Sequence, residues 1–173
     1  MPKLITIQHP EETAKQAREY VKTYILMPSG LVGMFCLAVG VVGLGYQLIA
    51  SDSYTWDTFY YSSGLIALGV MIGTAQTQYH LYLFRQFPDA LAARMRRGPV
   101  TQRGKAKKDA QAPEIDHPGR PLLPLAYVAG IAALLGSAVL ATLYGQVNTV
   151  PAVMMPWAGF YWAKLFFWRS VIK

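Results

Sequence analysis

The chain has 173 residues, 53% of them hydrophobic, and a formal net charge of +7. Only 14% of its residues are charged, against about 25% in soluble domains, and long stretches carry no charge at all, which argues against an ordinary water-soluble domain. The single cysteine, Cys36, excludes an intramolecular disulfide and a cysteine-based zinc site.

Residues 1–25 read as an amphipathic segment on the cytoplasmic side. Pro10 suits a first helical position, and Glu11 and Glu12 suit the positive end of a helix dipole. Over residues 10–24, Ala14, Ala17, Val21 and Tyr24 share one face, with Lys15, Arg18 and Lys22 opposite. Such a helix can lie in the headgroup region until Pro28 marks entry into the bilayer; docking on a partner is the alternative. The polar lead before the first apolar run is too long for a cleavable signal, so that run is expected to be retained.

A bilayer core about 30 Å thick needs about 20 mostly apolar residues in a helix. The first run, Leu26 to Ala50, meets this without a charge. Ser29, Gly33, Cys36, Gly40, Gly43 and Gln47 recur in it at spacings of three and four, which keeps them on one face. The second run, Thr58 to Phe84, carries a similar stripe through Ser62, Gly69, Gly73, Gln76 and His80. In lipid, helices associate where small residues let backbones approach and polar side chains can pair. The two faces are therefore expected to pack, against each other or against a partner helix. Gly69 and Gly73 form a GxxxG pair.

Residues 85–121 form a basic linker. Arg94, Arg96, Arg97, Arg103, Lys105, Lys107 and Lys108 follow one another without an intervening acid. Beside a membrane, such a run reads as a contact for anionic lipid headgroups. No aromatic residue interleaves it to stack on bases, so nucleic acid is not expected. A short helix is expected over 88–97, and a Pro- and Gly-rich loop over 98–121.

The third run, Leu122 to Tyr144, is small on much of its circumference and could pack on several sides. The fourth, Val150 to Val171, contains Pro151, Pro156, Lys164 and Arg169 and a bulky aromatic exterior suited to lipid and interface contact. Lys164 is expected to snorkel along its own stem, with cation–π contact to Trp157, Tyr161 or Trp168 on its face as the alternative.

The basic residues set the orientation. All sixteen Lys and Arg fall before the first run, between the second and third, or at the end of the chain; the other two connections have none. The positive-inside rule then predicts an all-α membrane protein with four transmembrane helices as two hairpins, 26–84 and 122–173, with both termini cytoplasmic. The membrane is a bacterial cytoplasmic or organellar inner one.

No nucleotide loop, carboxylate pair or metal cluster appears, so an independent enzyme is not expected. His80 continues the small-residue stripe. It reads as a cross-helix hydrogen-bonding group, with ligation of haem or a chlorophyll-type pigment as the alternative; no other cofactor is expected. An unpaired amide at the depth of Gln76 would be costly, so Gln76 is expected to pair, with Gln47 or with a partner protein. The leading functional expectation is a structural or accessory subunit of a larger membrane complex, energy-transducing or electron-transferring, with other membrane subunits and anionic lipids as partners. The alternatives are an oligomeric small-solute transporter or channel, lined by Gln47, Gln76, His80 and Lys164, and a pigment- or haem-binding subunit.

Overall fold

The computed structural model describes residues 15, 16, 18–86 and 122–172. The basic run from Arg94 to Lys108, His9, His117 and the elements expected over 88–121 lie outside the described residues. Among the described residues every regular element is a helix and there are no strands. A π-helical segment, Val21–Leu26, leads into α1, Met27–Ile49, and is followed by α2, Trp56–Gln86, α3, Leu123–Tyr144, and α4, Thr149–Ile172. These limits fall within about two residues of those read from the apolar runs.

Pro28, read as the point of entry into the bilayer, does not interrupt the helix. Helix runs unbroken from Arg18 to Ile49, and Pro28 sits in the first turn of α1. Upstream of it the backbone widens: the Met27 N–H bonds to the Lys22 carbonyl, five residues back. A π turn makes room for a proline ring that would clash with the carbonyl four residues earlier. Residues 18–26 therefore feed directly into α1. Val21 is fully buried there against Leu81 of α2 and Trp168 of α4.

The helix through Ile49, α2 and α3 are each long and apolar enough to cross a membrane. α2 has 31 residues, about 46 Å of helix, so it extends past a 30 Å hydrocarbon core. α4 is helical over its expected range but is not among these three. Its prolines, Lys164 and hydrogen-bonding aromatics dilute its hydropathy.

α4 is nonetheless the centre of the fold. Its main neighbours are α2 and α1, while α1 and α2 hardly touch. Ala152, Met155, Ala158, Ala163 and Trp168 are all buried on it. α3 is peripheral: of its 22 residues only Leu134, Ala138 and Ala141 are buried. The alanine row Ala129, Ala132, Ala133 and Gly136 is exposed, so this helix packs along one row and not on several sides.

Candidate functional site

The small-residue stripes of α1 and α2 face α4, not each other. A Cβ on Gly33 would lie 3.0 Å from Tyr161 Cβ, one on Gly40 3.1 Å from the Met155 side chain, and one on Gly43 2.9 Å from the Pro151 ring. Residue numbers rise on α1 as they fall on α4, so the two are antiparallel. On α2 the approach is backbone to backbone. A Cβ on Gly69 would overlap the Pro156 carbonyl oxygen, and one on Gly73 would lie 2.5 Å from the Phe160 carbonyl oxygen and 3.0 Å from Ala163 Cβ. A Cβ on Gly159 would in turn overlap the Ile66 carbonyl oxygen. Here numbers rise together, so α2 and α4 run parallel. The seam uses two small pairs, Gly69 with Gly73 and Gly159 with Ala163. The second pair has the same four-residue spacing, set among the aromatic residues of α4.

Gln47 anchors the end of the bundle where the two short connections meet. It is 1% exposed. Its Nε2 donates to the Gln146 carbonyl at 2.5 Å and more weakly to the Ser53 carbonyl at 3.4 Å; its Oε1 accepts from the Asn148 N–H at 3.2 Å. Asp52 and Gln146, one in each connection, have positive φ, a conformation that leaves backbone groups outside any helix. One buried amide satisfies several of them. Gln47 and Gln76 do not pair, because they belong to opposite halves of the bundle.

In the other half, α2, α3 and α4 surround a cleft of about 440 Å³. Tyr79, Tyr127, Trp157 and Phe160 supply aromatic walls, Ile72, Ile131 and Leu134 its aliphatic part, and Gln76 and Lys164 its polar end. Ala75, Tyr127 and Ile131 on its rim are exposed, so the cleft opens sideways between α2 and α3. It exists because α3 touches the bundle along a single row and stands off from α4 here.

His80 lies beside this cleft, and its Nε2 is 2.8 Å from the Tyr127 hydroxyl. That is the cross-helix hydrogen bond, with Tyr127 as a partner that helix periodicity could not identify. Among the described residues no group of three potential metal-binding side chains occurs. The Gln76 Oε1 is buried and has no hydrogen-bond partner among the described residues. Lys164 does not snorkel toward Arg169. Helical side chains lean toward the N-terminus, and its Nζ sits 4.4 Å from the centre of the Phe160 ring and 5.7 Å from that of Tyr161. Such cation–π contacts hold it on the N-terminal side of its own Cα.

No family model, curated protein or solved structure matches this chain.

Proposed function

We propose that the chain is a four-span subunit of a larger membrane complex and docks onto other subunits through α3. The exposed small face of α3, formed by Ala129, Ala132, Ala133 and Gly136, carries the reading. A Cβ on Gly136 would meet nothing within 4 Å. Small side chains gain little dispersion energy from mobile lipid tails, but they let a second helix approach closely enough to pack along its length.

In this reading α4 crosses the membrane with the other three helices, shielded by α1 and α2 so that its lysine and prolines meet protein before lipid. The alternating helix directions support two hairpins. The positive-inside rule, applied to the basic termini and central linker, supports cytoplasmic termini, and the linker's Arg94, Arg96, Arg97, Arg103, Lys105, Lys107 and Lys108 contact anionic headgroups.

The test separates folding from assembly. Gly136→Leu adds a side chain where the chain itself has nothing in reach. A tagged Gly136→Leu chain, extracted gently and examined by native mass spectrometry, should be folded yet lack the partners retained by the wild type. Wild-type protein that emerges as a lone chain, or partners retained equally by both, would overturn the reading.

A further inference from the structure

We propose that the cleft between α2, α3 and α4 binds a free long-chain fatty acid, with Lys164 as the counter-charge of its carboxylate. Such binding is independent of how the chain assembles, because Ala129, Ala132, Ala133 and Gly136 contribute nothing to the cleft lining.

Lys164 chooses the head group. It lines the cleft beside Phe160, and its Nζ lies over the Phe160 ring, 4.4 Å from the centre. The Phe160 and Tyr161 rings are its only partners among the described residues, with no hydrogen bond or ion pair. Protein does not seal this nitrogen off, as it does the Gln76 Oε1, so a ligand in the cleft can reach it. None of the described acids, Glu19, Asp52 and Asp57, lines the cleft. Ring faces relieve a cation in part, but a charge among apolar groups stays costly until an opposite charge pairs with it. A carboxylate supplies that charge together with a charge-assisted hydrogen bond, whereas an alcohol or ester offers only a dipole.

The walls choose the rest of the molecule. Apart from Lys164 they are mostly aliphatic and aromatic, with Ile72, Ile131, Leu134 and Trp157 among them. The lining runs from Leu123 to Leu134 on α3, about 16 Å of helix. This is an elongated slot of about 440 Å³, within the ~300–1,000 Å³ of small-ligand sites. A small anion such as acetate would neutralise Lys164 and leave the slot unfilled. One cation and one slot match one carboxylate on one chain; a phospholipid leaves a second chain and a glycerol ester to place. The mouth opens sideways between two helices long and apolar enough to cross a membrane, so the chain enters from lipid.

The experiment uses the full chain purified in dodecyl maltoside, a palmitate carrying a photoreactive diazirine on its tail, and mass spectrometry of the labelled peptides. Label should fall on cleft residues of α2, α3 or α4. Unlabelled palmitate should compete about tenfold better than hexadecanol, the ratio expected for one hydrogen bond to a charged group in a dry site. Lys164→Met, which keeps the apolar stem, should cut labelling about tenfold. A Cβ on Gly130 would meet the Ile72 side chain at an ordinary 3.5 Å, so Gly130→Phe fills the slot and should block labelling. Arg169→Met, which removes the other cation of α4, and Gly136→Leu should label as the wild type does. Equal competition by hexadecanol, stronger competition by dioleoyl phosphatidylglycerol, labelling unchanged in Lys164→Met, or label spread over the outer face of α1 would each overturn the proposal.

Discussion

Gln47 and Gln76 carry the same amide on comparable small-residue stripes, yet their surroundings give them opposite energetics. Gln47 holds two connections together through three hydrogen bonds. Gln47→Leu would leave the Gln146 carbonyl and the Asn148 N–H without their partner, at a cost of about 1–3 kcal/mol. Gln76 has a buried oxygen without a partner among the described residues, so Gln76→Leu should leave stability unchanged or raise it. Unfolding in mixed micelles with increasing SDS measures both. Equal losses for the two variants would contradict the contrast. Periodicity showed that both amides face protein, but it could not show what they meet. That depends on which loops and helices converge, and two of the three Gln47 partners lie about a hundred residues away in sequence.

At the scale of helices, the α2–α4 seam is the tightest element of the fold. Gly69, Gly73 and Gly159 all face backbone atoms of the opposing helix, and backbone cannot rotate out of the way as a side chain can. Gly69→Leu and Gly159→Leu should therefore cost more than the ~1–3 kcal/mol typical of an overpacked core, seen as lost folded yield or a sharply lower melting temperature. Gly64→Leu on the same helix should be tolerated, since a Cβ there meets nothing within 4 Å. A Gly69→Leu protein as stable as Gly64→Leu would show that the two helices do not approach along this line. The GxxxG pair was legible in the sequence. Its partner helix was not, because a small face specifies close approach without naming the surface that approaches. The aromatic residues of α4 show the same limit. Trp168 is buried, at 1% exposure, and Phe166, two residues before it, is 74% exposed, although composition treats them alike.

For the molecule as a whole, orientation is the property that charge determines most directly. Glu19, Asp52 and Asp57 are the described acids, and the connection holding Asp52 and Asp57 contains no lysine or arginine. With Cys36→Ser as background, Ser53→Cys should react with a membrane-impermeant maleimide added outside intact cells or vesicles. Lys107→Cys should react only after the membrane is opened. The reverse pattern would invert the topology, and labelling of both from outside would remove one crossing.

Helix limits, the small-residue faces of α1 and α2, and the segregation of positive charge were all set by the sequence itself. Each follows from a local rule: run length against bilayer thickness, side-chain period against helix pitch, and the cost of moving lysine and arginine across a membrane. Tertiary structure decided the rest. It made α4 the shared partner of both glycine stripes, turned Lys164 inward onto Phe160 and joined His80 to Tyr127. By holding α3 away from α4, it also left the cleft between them. These outcomes depend on how four helices divide a limited contact surface, and no single helix carries that information.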